Sequence, residues 1–162
     1  MTKIAITGSI ASGKTTASKF LSNRRGPLFS ADQVVKKLYS NQKFKKIIMK
    51  KFSLKKEHNF KKDLLDKIVK KKKDLKKLEK IIHPLVRKRM INFIKKNKYK
   101  KFCFCEIPLL VESRLKRYFD ITIFVKSSRN LRIKRFKLKK GDIGTFKFLD
   151  KQQIKDNIKM KY

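Results

Sequence analysis

No apolar run in this 162-residue chain approaches the length of about 20 residues that a bilayer-spanning helix needs. The opening Met1-Thr2-Lys3 leads straight into a short apolar run instead of a signal peptide, so a cytoplasmic protein with no membrane partner is expected. Cysteine is almost missing. Cys103 and Cys105 alternate with Phe102 and Phe104 in a predicted strand, which points both thiols to one face and keeps them from bonding easily to each other. A lone C-x-C with no further cysteine is a poor zinc site, and apolar packing is the favoured role. Acid is scarce as well: 12 Asp and Glu face 48 Lys and Arg, for a net charge of +36. Such an excess favours encounter with anionic substrates and brings strong salt dependence, and it admits a polyanionic partner such as nucleic acid or an anionic membrane surface. Glycine, proline and alanine are few while lysine, isoleucine, phenylalanine and asparagine abound, the profile of an AT-rich coding sequence. The lysines are spread through most of the chain without the patterned stripe of a nucleic-acid site. Composition is therefore the favoured account, and no dedicated nucleic-acid partner is expected.

What is present is a chain of single-domain size, 40% hydrophobic, long enough for one real core and a small inserted subdomain. Its most informative stretch is Gly8-Ser9-Ile10-Ala11-Ser12-Gly13-Lys14-Thr15, preceded by the apolar Ile4-Ala5-Ile6 and followed by an amphipathic segment through Phe20 and Leu21. The spacing G-x-x-x-x-G-K-[ST] between a strand and a helix is a phosphate-binding P-loop. Backbone N–H groups must wrap a polyphosphate, and a glycine at each end allows the turn and the close approach. Lys14 reaches the β and γ phosphates, the Thr15 hydroxyl ligates magnesium, and the helix N-terminus adds its positive dipole end. A chance glycine turn is the alternative, but strand, loop, lysine, hydroxyl and helix all occur in order. Nucleotide binding is therefore expected.

The chain reads as alternating strand and helix: strand Lys3 to Thr7, helix Lys14 to Ser22, and a short strand at Leu28-Phe29-Ser30. Further strands are predicted at Lys101 to Ile107 and Ile121 to Val125. Short apolar strands bounded by polar segments suit a parallel sheet covered on both faces, and a βαβ series opening on a P-loop argues for a doubly wound α/β nucleotide-binding fold. Between Asp32 and Lys98 the period changes to helical, with Leu64, Leu65 and Ile68 and then Leu75, Leu78 and Ile82, so a helical insertion is predicted. The run Lys70-Lys71-Lys72-Lys73 reads as a solvated helix junction, with a phosphate contact as the minority reading. Pro84 after His83 is expected to start a new helix. Ser128 to Lys140 is another predicted helix, on which Arg132, Arg135 and Lys139 share a face. Gly141-Asp142-Ile143-Gly144 reads as a turn or flexible loop. Together these are either a lid that folds over nucleotide phosphates or one more solvated basic face.

The order of these motifs resembles the dephospho-coenzyme A kinase family along nearly the whole chain. The family's P-loop corresponds to Gly8 to Thr15, and the aspartate closing its second strand to Ser30-Ala31-Asp32. Its L-E-x-x-x-H-P corresponds to Leu78-Glu79-Lys80-Ile81-Ile82-His83-Pro84. Its acidic residue followed by x-P-L-L-x-E corresponds to Glu106-Ile107-Pro108-Leu109-Leu110-Val111-Glu112, and its K-R dipeptide to Lys134-Arg135. The P-loop alone would mark only the superfamily; the ordered set is far more specific. The resemblance implies a P-loop NTPase-type α/β fold, a parallel sheet flanked by helices. Residues 1–162 would form one kinase domain containing a helical CoA-binding insertion over 33–98 and a small lid over about 128–146.

The implied activity is transfer of the ATP γ-phosphoryl group to the ribose 3′-hydroxyl of dephospho-CoA. Ser9, Ile10, Ala11, Ser12, Gly13, Lys14, Thr15 and Thr16 would hold the phosphates. Thr15 would bind magnesium, and Glu106 would be the acidic partner of its shell. Asp32, beside the P-loop strand, would accept or orient the acceptor hydroxyl's proton, against the alternative of a helix N-cap. Arg135 and Lys139 would face the ATP phosphates; lysine at 139, where the family usually has arginine, keeps the charge but loses the bidentate fork. Lys62, His83, Pro108 and Leu109 are implied on the acceptor side, together with Asp32. Ser9 and Ala11 stand where the family often has glycine, and the cradle is expected to survive if both keep negative φ. Relatives continue past a glutamine such as Gln153 into a final strand and a terminal helix, whereas this chain stops at Met160-Lys161-Tyr162; an exposed sheet edge and a thinner adenine-side wall are the expectation. The alternatives are another P-loop nucleoside or nucleotide kinase, a truncated inactive kinase, and a basic nucleic-acid-binding protein.

Overall fold

The computed structural model describes residues 1–54 and 59–161. Residues 55–58, inside the expected helical insertion, lie outside the described residues. The chain divides into a sheet-containing unit, Met1–Ala31 with Met90–Tyr162, and a helical unit, Asp32–Arg89. No helix among the described residues is long and apolar enough to cross a membrane.

In the sheet unit, β1 (Thr2–Thr7), β2 (Leu28–Ser30), β3 (Phe102–Glu106) and β4 (Ile121–Phe124) form a parallel sheet in the order β2-β3-β1-β4. The central β1 is buried on both faces, as expected of Ile4-Ala5-Ile6 in a parallel sheet. Register fixes which side chains share a face. Leu28, Phe104, Ile4 and Ile121 form one row across the sheet, and Ser30, Glu106, Ile6 and Ile123 form the next row on the same face. Ile4, Ile6 and Phe104 pack there with Leu21 from α1 (Lys14–Ser22). Glu106 therefore emerges at the carboxyl end of β3 on the face that α1 covers. Cys103 and Cys105 point to the other face, both fully buried and both free. On that face Phe29 meets Phe93 with ring centroids 5.6 Å apart.

The helical unit holds most of α2 (Ala31–Ser40), then α3 (Gln42–Phe52), α4 (Phe60–Lys70) and the first two-thirds of α5 (Lys72–Lys96). Leu64 and Ile68, and then Leu78, Ile82 and Val86, are buried at the four-residue spacing of a helix face. Lys71 is the C-cap of α4 and Lys72 opens α5, so the four-lysine run is a helix junction, with all four residues exposed or half-exposed.

Two local expectations are corrected. Pro84 does not start a helix; it sits inside α5. It is exposed, and it offers no N–H to the Lys80 carbonyl one turn earlier. The expected loop at 141–144 is only half a loop. Asp142 is an N-cap whose side chain accepts from Thr145 N–H at 2.9 Å, so Ile143 and Gly144 already belong to α7 (Ile143–Gln152). The helix before it, α6, runs Arg129–Leu138 and ends before Lys139, and a short α8, Asp156–Lys159, completes the described elements.

Candidate active site

The loop joining β1 to α1 is shaped by two glycines. At Gly8 (φ 152°) a Cβ would lie 2.4 Å from the Val125 carbonyl oxygen, and at Gly13 (φ 100°) it would lie 3.2 Å from Arg135 Nη1. Only glycine lets the backbone run this close to its neighbours in that region of φ. Ser12 N–H closes the turn on Ser9 O at 3.1 Å, and Lys14 Nζ donates to the same oxygen at 2.7 Å, with Lys14 only 8% exposed. Gly13 is the N-cap of α1, with no side chain to close it and no acidic residue in the first turn. The amides of Lys14, Thr15 and Thr16 are thus the open end of a helix, where an anion is stabilised. Ser12 Oγ is buried there without a hydrogen-bond partner. Ser9 keeps negative φ, but Ala11 does not: its φ is 57°, which corrects the expectation for that position. The loop demands a left-handed residue there, and alanine supplies it under strain.

Thr15 is exposed at the start of α1, and its hydroxyl donates to Glu106 Oε1 at 2.6 Å. Glu106 is 1% exposed. Strand register explains the meeting, because Glu106 lies on the face that α1 covers. Arg135, in the middle of α6, donates through Nη1 to Ser12 O at 2.9 Å and to Ser127 Oγ at 3.1 Å; Ser127 Oγ in turn donates to Ser12 O at 2.8 Å. A guanidinium thus rests on the rim of the cradle. The other two cations predicted on that face behave differently. Arg132 is buried and paired with Asp150 of α7 at 2.5 Å, and Lys139 is the exposed C-cap residue of α6.

The turn after β3 begins with Ile107 N–H donating to Ile6 O at 2.9 Å and carries Pro108, whose carbonyl accepts from Thr7 Oγ1 at 3.3 Å. Leu109 is half-buried beside the wholly buried Leu110. Asp32 stands in the first turn of α2, two residues beyond the end of β2, so it is a first-turn residue and not an N-cap preceding the helix. Lys62 is exposed on α4. His83 is half-buried on α5; burial first and Arg87 second pull its pKa down, against the opposing pull of Glu79.

Four residues with no assigned role in the sequence also reach this region. Ile10 N–H donates to Gln153 Oε1 at 3.0 Å, and the Ser9 hydroxyl donates to the Asp156 carboxylate. Glu112 Oε1 accepts from Ile154 N–H at 3.0 Å and lies 2.6 Å from Lys159 Nζ. Ser9, Arg132, Gln153 and Asp156 help line a cavity of about 410 Å3.

A glycine-bounded cradle between a central parallel strand and a helix, with a lysine folded into it and a hydroxyl on its rim, defines a P-loop nucleotide-binding α/β protein. A family model described as dephospho-CoA kinase matches residues 2–160, and the chain belongs to that family, whose reaction is ATP-dependent phosphorylation of dephospho-CoA. It is 36% identical over 135 residues to the dephospho-CoA kinase of Rickettsia bellii, covering 83% of this chain and 70% of that protein. With the dephospho-CoA kinase of Bartonella henselae it shares 30% over 161 residues, covering 96% and 83%. A Thermus thermophilus crystal structure matches with a TM-score of 0.79 at 23% identity, over 99% of this chain and 84% of that one. A dephospho-CoA kinase structure from Campylobacter jejuni matches at 0.54 and 21%, over 85% and 95%. At these identities the two structures bear on the fold.

Proposed function

We propose that this chain transfers the γ-phosphoryl group of Mg-ATP to the 3′-hydroxyl of the dephospho-CoA ribose, giving coenzyme A and ADP. The acceptor oxygen forms the new P–O bond, the bond to the β-phosphate bridging oxygen breaks, and the hydroxyl proton passes to Asp32. The observation that carries this reading is the cradle itself, with Lys14 held against Ser9 O and Thr15 held against Glu106. Lys14 and the amides at the start of α1 bind and polarise the phosphates, since catalysis of phosphoryl transfer is mostly positioning and charge stabilisation. Arg135 exchanges the Ser12 carbonyl for a phosphate oxygen, and Lys139 adds charge from the end of the same helix. By family resemblance, Lys62, His83, Pro108 and Leu109 are assigned to the acceptor.

Magnesium fits the residues present. Thr15 and Glu106 offer hard oxygen atoms 2.6 Å apart, and among the described residues no cluster of three His, Cys, Asp or Glu could hold a metal alone. Phosphate oxygens and water would complete its shell, and the ion would neutralise charge on the β and γ phosphates.

The test is ADP formation by the purified chain with Mg-ATP, with and without dephospho-CoA, the product being identified by mass. Phosphorylated acceptor is expected only when dephospho-CoA is present. Lys14→Ala should lower turnover by a factor of about 100 or more, the scale on which an electrostatic group stabilises transferring charge. Asp32→Asn should spare ATP binding while lowering turnover. Equal loss of binding and turnover in Asp32→Asn would make that residue structural.

A further inference from the structure

Two hydrogen bonds tie the P-loop to residues more than 140 positions later in the chain, those from Ile10 N–H to Gln153 and from the Ser9 hydroxyl to Asp156. The stretch from Gln153 to Lys159 that accepts them is itself anchored at both ends to one carboxylate. Glu112 Oε1 takes Ile154 N–H at 3.0 Å and Lys159 Nζ at 2.6 Å, and the Lys159 side chain is 0% exposed. Separating the two would leave a buried group without its counter-charge, so the Glu112–Lys159 pair fixes the place of α8 with little freedom to slide. Glu112 belongs to the same turn as Pro108 and Leu109. The strap therefore joins that turn to the nucleotide loop.

The loop needs such support. Ala11, the neighbour of Ile10, is held at φ 57°, a conformation that a non-glycine residue keeps only when its surroundings over-determine it. The Ile10 amide is a donor, so the Gln153 side chain must present its oxygen and not its NH2 group. An amide oxygen in this place does more than fill space, because leucine of similar size would leave the Ile10 N–H without its partner.

We propose that Gln153 is a positioning residue for ATP, its side-chain oxygen holding the Ile10 amide so that the left-handed turn at Ala11 is set before the phosphates arrive, and that Glu112 and Lys159 hold Gln153 in place. Gln153 itself touches no reacting atom. The inference rests on the P-loop being the ATP site.

The experiment uses the full chain and steady-state kinetics with Mg-ATP and dephospho-CoA, alongside amide hydrogen exchange followed by NMR. In the unsubstituted protein the Ile10 amide should exchange at least about tenfold more slowly than a free amide, one power of ten in the opening equilibrium. Gln153→Leu should remove that protection and raise KM for ATP about three- to tenfold, the worth of one hydrogen bond. The KM for dephospho-CoA, kcat and the melting temperature should stay near their parental values. An Ile10 amide exchanging at the free rate in the unsubstituted protein overturns the proposal, and so does Gln153→Leu with unchanged KM for ATP. Loss of both KM values together with the melting temperature also overturns it, because that pattern is plain destabilisation. Lys14→Ala run in parallel keeps the two levels apart. If Lys14→Ala retains turnover, the P-loop reading itself fails; if it loses turnover while Gln153→Leu is silent, only the positioning role fails.

Discussion

Ala11 is the residue at which the phosphate cradle departs from ease. Its φ of 57° costs about 1–2 kcal/mol for an L-residue with a Cβ, while glycine at the same place would lose about 0.4–1 kcal/mol through the greater freedom of the unfolded chain. Ala11→Gly should therefore stabilise the protein by ~0.5–1 kcal/mol and raise its melting temperature by about 2 °C, with ATP turnover retained. A fall in melting temperature would show that the strain is not real. His83 offers a second residue-scale test. Burial lowers its pKa below the ordinary 6.5, so the folded chain prefers the neutral ring. The unfolded chain then binds more protons between the two pKa values. The stabilising contribution is complete above about 6.5 and is lost as pH falls through the folded value. An NMR titration of the His83 ring should give a midpoint under 6.5, and His83→Gln should flatten the loss of stability on moving from pH 7 toward 5.5. A midpoint at or above 6.5 would mean that Glu79 outweighs burial.

At the scale of elements, α5 shows what periodicity conveys and what it omits. Leu78 and Ile82 at helical spacing announced a buried face, and the face is there; Pro84 announced a helix start, and the helix runs through it. Proline's penalty depends on whether the orphaned carbonyl can find water, and that depends on exposure, which only the packed structure decides. Pro84→Ala restores an N–H to the Lys80 carbonyl and should stabilise the protein by about 1–3 kcal/mol, read as a higher melting temperature in calorimetry. No gain would mean that the helix around Pro84 is set by its packing and not limited by the missing N–H. The strands were legible because each is a short apolar run, and the P-loop because its chemistry is written in adjacent residues. The partners of Ser9 and Ile10 were not. Gln153 and Asp156 lie 143 and 147 positions away from Ile10 and Ser9, on a segment with no apolar period of its own, and nothing local marks where its side chains land. Glu106 stood between these cases. Its strand was visible, but its meeting with Thr15 follows from register, which placed it on the α1 face.

For the whole molecule the dominant quantity is a net charge of +36 in a chain whose proposed substrates are both polyanions. Lysine is spread over both units, so the field is broad and not a focused stripe, and it acts first on encounter. Solvent-exposed charges lose reach as salt rises, with a Debye length of about 30 Å at 0.01 M falling to about 8 Å at 0.15 M. The groups proposed to carry the chemistry are ones that salt reaches poorly: Lys14 is 8% exposed and Glu106 1%. The two dependences should separate. Raising KCl from about 10 mM to about 300 mM should lower kcat/KM for Mg-ATP at least about tenfold, within the range spanned by electrostatic steering, while kcat changes less than about twofold. Substituting exposed lysines of the helical unit, for example Lys72 and Lys73 at the α4–α5 junction, should weaken the salt slope slightly and leave kcat intact. A kcat that falls in step with kcat/KM would place the salt effect inside the cradle, on the contacts of Lys14 and Arg135, and the broad charge would then have no part in capturing substrate.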